Sequence, residues 1–141
     1  MLIDEYFNNC LYFTVNKLSR AITKMAEDAF KRTGLSPTHA FLMMLVIEKP
    51  GISQSELAEA LHLKPSTITR FVDKLVEKGY TERRADGKRS LNHPTADGKA
   101  ILEDIKEGWK ILFRAYSDIL GDDEGKALNQ LIHEAGNKLE R

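Results

Sequence analysis

The chain has 141 residues, of which 42% are apolar and 30% charged. That is enough apolar side chain for a buried core, and it excludes a disordered, collagen-like or disulfide-built protein. Twenty-one Lys and Arg balance twenty-one Asp and Glu, so the surface as a whole is no polycation that would coat nucleic acid. The longest apolar run, Ala40 to Ile47, falls far short of the roughly 20 residues of a membrane span, and no membrane partner is expected. The start, MLIDEYFNN, carries acids and lacks the basic lead-in of a signal peptide. A lone cysteine, Cys10, cannot form an internal disulfide. A cytoplasmic protein is the expectation.

From Asp4 to Arg32 the apolar residues Leu11, Val15, Leu18, Ile22, Met25 and Ala29 alternate steps of four and three. The spacing predicts one long amphipathic helix, ended by Gly34. Ser36 then caps a second helix and Pro37 occupies its first turn. This helix contains FLMMLVI, apolar on every side, which predicts burial at the centre of a domain. Pro50-Gly51 stops it.

Ser53-Gln54-Ser55-Glu56 has the form of a capping box, with Ile52 and Leu57 at the positions of a hydrophobic staple. The short helix that follows is predicted to bury Leu57, Ala58 and Leu61. Pro65 opens the next helix. In it Ile68, Phe71, Val72, Leu75 and Val76 form an apolar stripe, and Ser66, Thr67, Thr69, Arg70, Asp73 and Lys74 lie off it. Gly79 ends that helix. Thr81 to Arg84 and Arg89 to His93 read as strands of a hairpin, with Asp86-Gly87 as its two-residue turn. Pro94 breaks the second strand, and Thr95 caps a helix that runs through Ile119 with a weak point at Gly108. Gly121 closes it, and Asp122-Asp123 start a last helix.

The charge is unevenly placed. Between His62 and His93 there are eight Lys or Arg and four Asp or Glu, a net of +4, which leaves −4 for the rest of the chain. A basic segment on an otherwise acidic body is the electrostatic footprint expected of a DNA reader. Two short helices joined by a tight turn form a helix-turn-helix, whose second helix offers its polar N-terminal side to the major groove. Lys64, Pro65, Ser66, Thr67, Thr69, Arg70 and Lys74 are the candidate DNA-binding residues of that helix, through hydroxyl contacts to phosphates or base edges and an arginine fork onto guanine. Arg83, Arg84, Lys88 and Arg89 are the candidates on the hairpin, expected close together beside the recognition helix and able to reach the backbone or a narrow minor groove. Ser53 and Gln54 are candidates for backbone contacts from the helix before. The bland alternatives are a solvated helix face and a plain surface hairpin. The ordered set of cap, turn, proline start, stripe, glycine stop and basic hairpin favours the reader.

The residues SQSELAEALHLKPSTITRFVDKLVEKGYTERR, then DGKRS, then Thr95 and Gly98, resemble the MarR family of transcriptional regulators. The resemblance covers nearly the whole chain and is strongest from Ser53 to Gly98. It implies a mainly α-helical fold with a small β-hairpin: a winged helix-turn-helix part at 36–94, and long helices at 1–33 and 95–141 that build a triangular homodimer from a single chain of 1–141. The recognition helix would be Pro65 to Lys78, and the family's pair of wing arginines would fall on Lys88 and Arg89. The wing is shorter than in many relatives, and Pro94 stands where leucine is usual. Such regulators are commonly repressors that answer small aromatic anions or phenols bound between their two parts. Tyr12, His39, Met43, Trp109 and Phe113 are candidate lining residues here, each also explicable as core. No cofactor is implied.

A dimer has an independent reason. One reader of this size contacts few phosphates, whereas a two-fold pair would set two helices about one DNA turn, ~34 Å, apart on a pseudo-palindrome. Three other readings compete. A winged helix can serve as a protein-interaction module without DNA binding, although basic residues on both helix and wing argue against it. Hydroperoxide sensors of the family use a cysteine near the start of the first helix, which would align with Tyr12, two residues from Cys10 and nearly on the opposite helix face; an inert, partly buried thiol is the expectation. An enzyme would need a catalytic constellation, and none is legible. His39, His62, His93 and His133 are scattered without the short spacings of a metal site.

Overall fold

The computed structural model describes residues 1–140, which divide into two compact units: Met1–Ala29 with the chain from Trp109 onward, and Phe30–Gly108. No helix among the described residues is long and apolar enough to cross a membrane. The fold is mainly helical, with one three-stranded antiparallel sheet in the order β1-β3-β2.

The central unit is built around α2 (Pro37–Glu48). Ser36 caps it, its side chain accepting from the amide of His39, and Pro37 sits in the first turn. No residue from Pro37 to Ile47 is exposed, as a helix without a polar face requires. Around it lie β1 (Ile52–Ser53), α3 (Gln54–Leu61), α4 (Pro65–Glu77), β2 (Thr81–Asp86), β3 (Arg89–Pro94) and α5 (Ala96–Ala100). Phe30, Leu42, Met43, Val46, Leu57, Ile68, Val72, Leu75 and Ile105 are wholly buried, each contributing about 1.5–3 kcal/mol by leaving water.

The capping box at α3 is complete. Ser53 Oγ accepts from Glu56 N at 3.2 Å, and Glu56 Oε1 accepts from Ser53 N at 3.2 Å. The helix ends on His62 in the left-handed region, φ 56°. Leu63 N reaches Ala58 O and His62 N reaches Glu59 O, the paired bonds of a Schellman ending. α4 ends the same way on Gly79, with Tyr80 N bonded to Leu75 O and Gly79 N to Val76 O. These two tight endings fix the turn between α3 and α4 and the entry to the hairpin.

The hairpin pairs six residues on each side, from Thr81↔Pro94 to Asp86↔Arg89. Its two-residue turn is therefore Gly87-Lys88, one position later than the Asp86-Gly87 expected. Gly87 has φ 63°, and Lys88 is not among the residues with positive φ. A positive φ at the first central position alone is the requirement of a II′ turn, not of the I′ turn that favours Asp-Gly. The short strand β1 has no signature in the sequence. Two residues carry no alternation, and Ile52 and Ser53 become a strand only because Asn92 and Leu91 of β3 are there to pair with them.

The other unit contains a five-residue π-helix, Ile3–Phe7, then α1 (Leu11–Ala29), most of α6 (Leu102–Leu120) and α7 (Asp122–Leu139). The single helix expected from Asp4 to Arg32 is thus interrupted. Asn9 Nδ2 donates to the carbonyls of Asp4 and Glu5 at 3.3 and 3.0 Å, and Asn8 Nδ2 to the Asp4 carboxylate at 3.3 Å. Asparagine side chains that take backbone carbonyls compete with the helix ladder. At the far end Thr33 Oγ1 donates to Phe30 O at 2.6 Å, and Lys31–Thr33 tighten into a 3-10 turn. The long helix after Thr95 also differs from expectation. It breaks at Ile101, between α5 and α6, whereas Gly108 stays inside α6. No local signal in the sequence marks Ile101.

Three stability outcomes are expected. A Cβ at Gly98 would collide with the Tyr80 carbonyl and meet Met43 Cε at 2.8 Å. Gly98→Ala should lower unfolding free energy by about 1–3 kcal/mol in urea titrations; Ser53→Ala, which removes one half of the capping box, should cost about 1 kcal/mol. The Lys49 ammonium, followed by the Ser53 amide and hydroxyl, holds the Glu56 carboxyl down from 4.5 to about 2. A carboxyl lowered on folding stabilises above its unfolded value and loses that contribution as pH falls through the folded one. The urea midpoint should therefore drop between about pH 4.5 and 2, and Glu56→Gln should flatten that part of the profile.

Candidate nucleic-acid interface

Ile68, Val72 and Leu75, spaced four and three residues apart, are the buried face of α4. Because that face is turned inward, the opposite one is turned out. Lys64, Pro65, Ser66, Thr69, Arg70, Asp73 and Lys74 are exposed, and Thr67 is half-buried. Phe71 is half-buried and Val76 is 37% exposed, so the predicted five-residue stripe is narrower than expected. Lys64 stands at the N-cap and makes no side-chain cap bond, and Pro65 has no amide to satisfy. The positive end of the helix dipole is left to the solvent.

Side chains from α3, α4 and the hairpin meet beside this face, around a cleft of about 660 Å³ lined by Ser53, Gln54, Ser55, Thr69, Asp73, Arg83, Lys88, Arg89 and Ser90. Three cations stand against one carboxylate there. Gln54 Nε2 donates to Thr69 Oγ1 at 2.7 Å, and Thr69 Oγ1 donates to the Pro65 carbonyl at 3.0 Å. Arg83 Nη2 donates to Asp73 Oδ1 at 2.5 Å and to the Thr69 carbonyl at 3.3 Å. Arg89 Nη2 lies 3.8 Å from Glu56 Oε1, and the other oxygen of Glu56 holds Lys49. Recognition helix, preceding helix and wing are thus fastened together by side chains at the cleft. Arg70 and Lys88 are exposed and make no ion pair among the described residues.

Of the residues singled out in the sequence, the cleft brings together Ser53, Gln54, Thr69, Arg83, Lys88 and Arg89. Lys64, Pro65, Ser66, Thr67, Arg70, Lys74 and Arg84 do not line it. Three expectations are corrected. Ser53 is buried and its hydroxyl accepts the Glu56 amide, so it belongs to the helix cap and not to the exposed backbone-contacting face. Arg83 and Arg84 do not cluster. Successive side chains of a strand point to opposite faces, and Arg84 turns back on Glu82, with Nη2 2.5 Å from Oε1. Arg83 is committed to Asp73 and serves first as a strut between wing and helix.

Sequence reasoning does not single out Ser55 and Asp73 as site residues. Ser55 could be found from the capping box, which puts it in the exposed first turn; Asp73 gives no signal until its partner across the wing is known. His39 stacks on Phe71 with ring centroids 4.4 Å apart. Burial, then Lys74 and Lys78, push its pKa below the ordinary histidine value.

The candidate effector residues have separate settings. Met43 is buried core and accepts a bond from Thr81 Oγ1 at 3.4 Å. Phe113 packs edge-on against Tyr116, and Trp109 is 52% exposed. Tyr12 lines a shallow cleft with Tyr6, Phe7, Cys10 and Phe13. Cys10, expected to be partly buried, is exposed, because the chain leaves the helix between Phe7 and Leu11.

The sequence model of the MarR family matches residues 35–88. An HTH-type transcriptional regulator of Bacillus cereus is 23% identical over 97% of this chain and 96% of its own length. BilQ, an HTH-type transcriptional regulator of Clostridium symbiosum, is 28% identical over 83% of this chain and 76% of its own. Among solved structures, the PcaV transcriptional regulator of Streptomyces coelicolor, in complex with its natural ligand, superposes with a TM-score of 0.84 at 21% identity, covering 96% of this chain and 97% of that one. CouR from Rhodococcus jostii RHA1, bound to p-coumaroyl-CoA, superposes with a TM-score of 0.74 at 21% identity, covering 93% and 92%. The MarR family model thus matches most of the winged helix-turn-helix assembled as described, and over nearly its whole length the chain is similar to HTH-type transcriptional regulators.

Proposed function

We propose that the protein is a cytoplasmic homodimeric repressor that binds a pseudo-palindromic operator and is released by a small aromatic or phenolic effector. The observation that carries the DNA-binding half is the convergence of Thr69 and Asp73, on the exposed α4 face, with Arg83, Lys88 and Arg89 around one cleft. In this reading Ser66, Thr67, Thr69 and Arg70 enter the major groove. Lys64, Lys74, Lys88 and Arg89 neutralise phosphates, with Gln54 and Ser55 at the backbone beside them. Arg83 holds the wing in place.

Dimerisation is supported by apolar side chains in the unit that contains both chain ends. Leu11, Val15 and Leu18 of α1 are 64%, 46% and 37% exposed, and Ile119, Leu131 and Leu139 are 77%, 65% and 68% exposed. So much apolar surface on one unit needs a cover, and a two-fold copy presents the same surface in return. Two readers about one helical turn apart would then match a pseudo-palindrome. The effector class rests on the family resemblance and on CouR, a relative of like fold that holds p-coumaroyl-CoA.

Gel-shift titration against salt tests the DNA-binding half. Affinity for duplex DNA should fall with a log–log slope of about 0.9 per phosphate neutralised. Lys88→Ala and Arg89→Ala should each weaken binding to all sequences alike and lower that slope by about one unit; Arg70→Ala should instead cost about 1–3 kcal/mol at one base pair and relax preference there. A flat salt response with no shifted band would leave a protein-interaction module as the better reading. Leu131→Asp should convert a dimer to monomer in sedimentation equilibrium and cost operator affinity, while leaving the helical circular-dichroism signal in place.

A further inference from the structure

Thr69 is an exposed threonine held by three elements at once. Gln54 of α3 donates to its hydroxyl, its hydroxyl donates to the Pro65 carbonyl within α4, and Arg83 of β2 donates to its carbonyl. A threonine hydroxyl has one proton and two lone pairs. Here the proton is committed to Pro65 and one lone pair to Gln54. What Thr69 still has free is one lone pair of its hydroxyl, beside its methyl group.

Gln54 is arranged for this and not for its own satisfaction. Its carbonyl oxygen is buried with no hydrogen-bond partner among the described residues, whereas its amide end is fixed on Thr69 at 2.7 Å. A buried acceptor left without a partner is unfavourable. The bond from its amide to Thr69 orients the side chain, and a side chain so held presents one hydrogen-bonding pattern to an incoming ligand.

Resting on the DNA-binding reading above, we propose that Thr69 is a specificity-determining residue that selects an A·T pair, and that Gln54 is the positioning residue that holds its hydroxyl in place. With its proton on the Pro65 carbonyl, Thr69 donates to a phosphate, to N7 or O6 of guanine, or to O4 of thymine only by giving up that bond. It accepts from an exocyclic amine and packs its methyl against another methyl. In the major groove the amines are adenine N6 and cytosine N4, and the only methyl is that of thymine. The A·T pair alone presents both. Guanine meets Thr69 with acceptors facing an acceptor.

The test is selection from random duplexes with the full-length wild type, Thr69→Val, Thr69→Ser and Gln54→Leu, followed by affinity measurements on the selected site carrying deoxyuridine for thymine or purine for adenine. In the wild type one A·T pair per half-site should be selected, and removing either the thymine methyl or the adenine amine there should weaken binding about fivefold or more. Thr69→Val should become indifferent to the amine, and Thr69→Ser to the methyl. Gln54→Leu, which removes the bond that holds Oγ1 in place, should weaken the discrimination against G·C at that pair with the salt slope unchanged. If wild type binds a selected site and no variant alters preference at any position, or if all variants lose affinity equally for every sequence, the assignment of Thr69 and Gln54 is overturned and the DNA-binding reading stands. If wild type shows no salt-dependent binding to any duplex, the reading beneath it fails as well.

Discussion

The burial of Ile68, Val72 and Leu75 sets the rotation of α4 about its own axis. A helix turned by one residue, about 100°, would push Thr69 or Thr67 toward the core and bring an apolar side chain to the surface. Three wholly buried side chains resist that turn with several kcal/mol of lost burial. Everything polar on the exposed side, from Ser66 to Lys74, takes its direction from this inward face. The tight endings of α3 on His62 and of α4 on Gly79 then fix where the helix starts and where the hairpin leaves it.

On that frame a second layer of polar contacts joins the reading elements. Glu56 is shared by the cap of α3, by Lys49 at the end of α2 and by Arg89 of the wing. Asp73 and Arg83 link helix to wing, and Gln54 and Thr69 link helix to helix. Exposed ion pairs contribute little to stability one by one. Their value here is geometric, since they limit how far wing and recognition helix can drift apart before DNA arrives. A preorganised surface loses less freedom on binding. The same contacts also separate the cations into two groups. Arg83 and Arg84 are occupied by Asp73 and Glu82, while Lys88 and Arg70 make no ion pair among the described residues.

Much of this is readable from the chain. The capping box at Ser53, the proline start at Pro65, the glycine stop at Gly79, the cap at Thr95 and the stripe of α4 are local features, determined by side chains within a turn or two of one another. Local rules suffice for them because the hydrogen bonds and steric limits concerned span three to five residues. The differences have a common cause as well. The hairpin turn slips by one residue because Asp-Gly prefers one turn type while the register of six cross-strand pairs imposes another. The break at Asn8–Cys10 comes from asparagine side chains that outcompete the amphipathic pattern.

The sequence by itself thus determined the order of elements, the apolar face of each reading helix and the basic character of the segment from His62 to His93, since period, caps and charge are properties of neighbouring residues. Only the tertiary structure decided which polar groups remain available. Whether Arg83 is a phosphate ligand or a strut depends on Asp73, ten residues away on another element. Where Thr69 holds its hydroxyl depends on Gln54, fifteen residues away. Hydrogen-bonding capacity is spent by partners that the fold brings near, and a linear pattern does not record which partner arrives.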